Sequence, residues 1–155
     1  MKNRRELLQH GAAVATLLMG AGLLPSVARA QATGYQTAAF EAKTMADLMK
    51  ALGASAPAES KDVTITAPDI AENGAVVPLG ASTTLAGAKS LLLLVEKNPS
   101  MMTSMFELTE AIEPSVTTRV KMGQSSNVYA VAMMTDGRVL YAVKEVKVTL
   151  GGCGG

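Results

Sequence analysis

Past residue 60 the apolar side chains recur at every second position, and that period dictates strands rather than helices. Val63-Thr64-Ile65-Thr66-Ala67 alternates apolar and polar and stops at Pro68. Glu72-Asn73-Gly74 supplies a turn before residues 75–79, where Pro78 suits an edge or a strand end. Residues 91–95 form an unbroken apolar run, the pattern of a fully buried strand, and Asn98-Pro99 ends it. Residues 101–108 and 116–122 read as further strands, the second with Arg119 and Lys121 on one face. Residues 128–134 and 139–150 flank Asp136-Gly137, a hairpin signal. In the last of these, Val139, Tyr141 and Val143 share one parity while Val146, Val148 and Leu150 share the other. That slip predicts a bulge or a strand that moves between sheets.

Upstream the period is helical. Phe40, Met45, Leu48, Met49 and Leu52 fall near one face of a helix over residues 37–52, with Gly53 as its stop and residues 54–60 as a linker of small residues. About seven short strands after one N-terminal helix are most economically folded as an all-β, two-layer antiparallel β-sandwich. Aromatic residues make up only 3% of the chain, so the core must come from Val, Leu, Ala and Met.

The N-terminus carries an export signal over residues 1–30. Lys2, Arg4 and Arg5 form a positive region, residues 11–24 are apolar, and Ala28-Arg29-Ala30 is a small-x-small cleavage site. Arg4-Arg5 ahead of Leu7-Leu8 points to the twin-arginine route and so to a periplasmic protein. The apolar stretch is short for a membrane span, and no other span is expected. Of the 14 basic and 13 acidic residues, the signal holds Lys2, Arg4, Arg5, Arg29 and Glu6, which leaves 10 and 12, a net charge of −2. That balance excludes a nucleic-acid footprint. The sole histidine, His10, leaves with the signal, and with it histidine-based catalysis and histidine-ligated metal. No cofactor, metal site or catalytic residue is expected in the mature chain. A single cysteine excludes an internal disulfide.

That cysteine stands in Gly151-Gly152-Cys153-Gly154-Gly155. Glycine adds no bulk beside the thiol, and a segment without apolar side chains has little to hold it to a core. The expected division is residues 31–150 as the β-sandwich domain and residues 151–155 as a slender carrier arm that reaches roughly 16–18 Å. Nothing on such an arm lowers the thiol's pKa, so Cys153 is expected to be activated inside a partner's site rather than by its own domain. Other readings stand beside this one. The tail can be incidental, or it can lock an exported structural or interaction subunit to a partner by a stable disulfide. Cys153 with methionines can also bind Cu(I), although methionines more often pack than ligate. Prenylation lacks its terminal motif. Ubiquitin-like carriers that end in Gly-Gly work in the cytosol, against the export signal.

Several segments together resemble the SoxY family, the sulfur-carrying subunits of the bacterial thiosulfate-oxidising system. They are the twin-arginine leader, residues 65–78 (Ile-Thr-Ala-Pro-Asp-Ile-Ala-Glu-Asn-Gly-Ala-Val-Val-Pro), Glu96-Lys97-Asn98-Pro99, Thr118-Arg119-Val120-Lys121-Met122, and residues 146–155, which end in the glycine-flanked cysteine. Leu7 departs from the leader's common Phe. The resemblance implies an immunoglobulin-like sandwich paired with a second small β-sandwich protein, SoxZ. It implies that Cys153 bears the pathway's sulfur intermediates, with Gly151, Gly152, Gly154 and Gly155 as the arm. It also implies partner enzymes: a c-type cytochrome that couples thiosulfate to the thiol, a dimanganese hydrolase that releases sulfate, and a sulfur dehydrogenase. The haems and manganese belong to those partners. Asn73 and Gly74 read as turn residues, Gly74 at positive φ, and Arg119 and Lys121 as a solvated or partner-facing strand face.

Overall fold

Leu91, Leu92, Leu93, Leu94 and Val95 are all fully buried in the computed structural model, which describes residues 37–149. A strand shows alternate side chains to opposite faces, so burial of every one requires cover on both sides. Leu91, Leu93 and Val95 point into a core between two sheets, whereas Leu92 and Leu94 point into a second core under the N-terminal helices. The helices therefore add a third layer to the expected two-layer sandwich.

The helical segment is two short helices, α1 (Thr37–Glu41) and α2 (Met45–Ala51), where the sequence pattern predicts one. The break is made by residues distant in the chain. Carbonyls that would accept the next intrahelical bonds are taken by the loop after residue 95: Met101 N–H donates to Ala42 O, and the Ser100 hydroxyl donates to Phe40 O. Thr44 then starts a new helix as N-cap, its Oγ1 accepting the Asp47 N–H at 3.1 Å and donating to Asp47 Oδ2 at 2.7 Å. Gly53 ends α2 as expected. Its φ of +62° permits paired bonds from Gly53 N to Lys50 O and from Ala54 N to Met49 O.

Among the described residues nine strands follow: β1 (Ala58–Glu59), β2 (Val63–Thr66), β3 (Ile70–Ala71), β4 (Val77–Thr83), β5 (Ala88–Val95), β6 (Met102–Glu107), β7 (Ser115–Val120), β8 (Ser126–Met134) and β9 (Val139–Val148). The seven longer ones match the seven expected; β1 and β3 are two-residue pairings with no periodic signal to read. The large sheet runs β1-β9-β8-β5-β6, with β3 also on β9, and the small sheet runs β2-β4-β7. Pro78 sits where β4 has β7 on one side only, since pairing with β2 stops at Gly80, so no neighbour needs its missing N–H there.

The expected bulge or sheet change in the last strand is corrected. β9 pairs with β8 in unbroken register from Ser126↔Val146 to Met133↔Val139. The parity change arises because β9 uses both faces. Val139 and Tyr141 lie in the helix-covered core, and Leu140, Ala142, Val146 and Val148 lie in the inter-sheet core. The chain that changes sheets is residues 58–71. It runs parallel to β9 as β1, leaves to join the small sheet as β2, and returns parallel to β9 as β3.

Candidate functional site: the end of the domain from which the cysteine segment departs

Cys153 with Gly151, Gly152, Gly154 and Gly155, and the export signal expected over 1–30, lie outside the described residues. What the structure gives is the platform that leads to them. β9 ends at Val148, and Thr149, the last described residue, is held by two bonds: its N–H donates to Ala71 O (3.1 Å) and its hydroxyl to Glu72 O (3.1 Å). One residue earlier, Val148 N–H donates to Ser125 Oγ at 2.9 Å, and Lys147 N–H donates to Asp69 O at 3.0 Å. Two segments, residues 67–76 with β3 at their centre and residues 121–125, thus clasp the end of β9 through Thr149.

The first loop carries the Ala-Glu-Asn-Gly segment. Asn73 is a turn residue, as expected: its Oδ1 accepts the Ala75 N–H at 2.9 Å. The expected positive φ at Gly74 is corrected; among the described residues the positive-φ glycines are Gly53, Gly87 and Gly137. Asn73 closes the turn with its own side chain, and Gly74 O accepts the Met122 N–H at 2.7 Å, which joins the two loops.

Lys144 is the functional-region residue that strand alternation hides. Its Nζ donates to Ala67 O at 2.6 Å and pairs with Asp69 Oδ1 at 2.9 Å, fastening the first loop to β9. The available signal was a lysine at a parity otherwise occupied by Leu140, Ala142, Val146 and Val148.

Arg119 and Lys121 are both exposed, on the outward face at the end of β7. They line a groove of about 480 Å³ with Pro99, Met102, Thr103 and Val120. The Asn98 amide donates to Lys121 O at 2.7 Å and fixes this side of the groove. Among the described residues no cluster of three or more His, Cys, Asp or Glu side chains stands ready to hold a metal, and no helix is long and apolar enough to cross a membrane.

On this geometry the comparisons are decisive. The family model for sulfur oxidation protein SoxY matches residues 48–153, a span that closes on Cys153. The chain belongs to the SoxY family. Among solved structures, the sulfur carrier protein SoxY from Chlorobium limicola f thiosulfatophilum is 34% identical, covers 66% of this chain and 93% of its own, and superposes with a TM-score of 0.60. The expected immunoglobulin-like all-β sandwich is therefore the SoxY fold. A superoxide reductase (neelaredoxin) from Ignicoccus hospitalis covers 56% of this chain and 78% of its own at 23% identity and a TM-score of 0.50, a likeness of fold alone. A comparison with curated proteins finds no match.

Proposed function

We propose that this SoxY-family chain is a periplasmic covalent sulfur carrier, exported by the twin-arginine route, with Cys153 as the attachment point. One observation carries the reading: the sole cysteine follows four residues after Thr149, the last residue shown bonded to the domain, with glycine on both sides. Four extended residues span about 13–14 Å, enough to take a thiol beyond the domain surface. The family match that closes on the same residue supports it.

The chemistry asks little of the carrier. The Cys153 thiolate and thiosulfate join through a new S–S bond, and the two electrons released pass to a c-type cytochrome partner. Water then cleaves the outer sulfur–sulfur bond on a dimanganese hydrolase; sulfate and two protons leave, and a persulfide stays on Cys153. Oxidation by a sulfur dehydrogenase and further hydrolysis return the thiol. The partners supply the electrostatics that a thiol between glycines lacks, and the chain is a carrier acted on by enzymes. A SoxZ-like subunit is its expected companion.

Intact-mass measurement after incubation with thiosulfate and the cytochrome tests this. A thiosulfate adduct that Cys153→Ser abolishes is expected. A permanent crosslink to a partner on nonreducing gels throughout turnover would instead favour the disulfide-locked subunit.

A further inference from the structure

Resting on the carrier reading, we infer that the Arg119–Lys121 groove is the docking surface for the enzymes that receive the arm, and that their cleft mouths present carboxylates beside an apolar lip. The argument begins with unspent charge. Among the described residues the ion pairs are Arg138–Asp136 and Lys144–Asp69; neither Arg119 nor Lys121 has one. Among the described residues no carboxylate lines their groove, and its floor is apolar, from Met102 and Val120 with Pro99 at the rim. Two exposed cations around an apolar contact fit a surface of opposite sign better than they fit water alone.

Position supplies the second argument. Lys121 is followed by Met122, whose N–H bonds to Gly74 O, and Glu72 in that same loop accepts the Thr149 hydroxyl. Ser125, in the segment after Lys121, holds Val148. The groove and the departing chain therefore share two bonded loops, and a protein whose cleft takes in Cys153 must face this end. The opposite end differs: Glu107, Glu110 and Glu113 are exposed there around Lys89. Asp69, paired with Lys144, and Glu72 are also exposed at the arm end, so the orienting charge is that of the groove itself, where Arg119 and Lys121 stand without a described carboxylate beside them.

The test uses the full mature chain with its companion subunit and follows arm loading by the thiosulfate-coupling cytochrome. The control is loading by tetrathionate, in which the Cys153 thiolate attacks a central sulfur, the central S–S bond breaks and thiosulfate departs with the electron pair. Arg119→Glu with Lys121→Glu is expected to lower kcat/KM for the cytochrome by about tenfold or more at low salt and to flatten its salt dependence. Tetrathionate loading, companion binding and unfolding midpoint should stay unchanged, and Glu110→Lys should have no effect on loading. Unchanged enzymatic loading in the double variant overturns the docking surface alone. An equal fall with tetrathionate assigns the cations to small anions, and loss of the companion makes the groove a subunit interface; either overturns it. If the unsubstituted chain takes no adduct by either route, the carrier reading falls and this inference with it.

Discussion

Lys144 Nζ lies 2.9 Å from Asp69 Oδ1, but the bond that fastens the residue 67–76 segment to β9 is the one beside it, 2.6 Å to the carbonyl oxygen of Ala67. The Asp69 side chain is 88% exposed, so the ion pair competes with water; the Ala67 bond is partly buried. Lys144→Met leaves that carbonyl without its donor and is expected to cost about 1–2 kcal/mol in urea unfolding. Asp69→Asn should cost about 0.5 kcal/mol or less. In Lys144→Met, hydrogen exchange at the Lys147 and Thr149 amides should also quicken, because their acceptors lie in the loop that Lys144 fastens.

Three glycines outside the arm should rank in a definite order. Gly87 has φ +81°, and a Cβ there would lie 2.9 Å from Thr135 Oγ1, while Thr135 N–H is bonded to Gly87 O. Gly137 has φ +87° with open space, and Gly123 has open space without a positive φ. Alanine is therefore expected to cost about 2–3 kcal/mol at Gly87, about 1 at Gly137 and close to zero at Gly123, read as shifts in unfolding free energy.

Tyr129 gives a pH signature. Burial first, then the nearby Glu96 carboxylate and Tyr141, hold its phenol above the ordinary value of 10.0. The folded state thus keeps a proton that the unfolded chain loses. The stabilisation is fully present below about pH 10 and is lost as pH rises through the folded value. The difference in stability between the native chain and Tyr129→Phe, measured by urea unfolding, should be constant up to about pH 10 and then shift in favour of Phe.

Arm width is testable apart from folding. Gly152→Val should leave the unfolding midpoint unchanged, because a segment without apolar side chains has little to hold it to a core. It should reduce turnover by partner enzymes by about tenfold, as the added Cβ branch meets a narrow cleft. Equal turnover would contradict the steric argument.

Much of the architecture was legible because it depends on local period. The run at residues 91–95 announced a doubly buried strand, Asp136-Gly137 the β8–β9 hairpin, and Gly53 the end of a helix. What escaped depends on distant partners. The helix breaks after Glu41 because Met101 and Ser100 take its carbonyls. β1 and β3 exist because the edge of β9 offers them acceptors and donors. The β9 parity change looked like a defect because one strand's pattern cannot show that two different layers cover its two faces. At the site, the cysteine and its glycines stand out in composition, whereas Lys144 acquires its role only when Ala67 and Asp69 are brought beside it.

The central claim is that cargo travels on one sulfur atom. Its most direct measurement is mass mapping of the peptide spanning residues 148–155 from the chain isolated during thiosulfate oxidation. The account predicts sulfur-containing adducts on Cys153 that change with the enzyme present and vanish on reduction. A peptide that stays unmodified throughout turnover, or cargo found elsewhere on the chain, would contradict it.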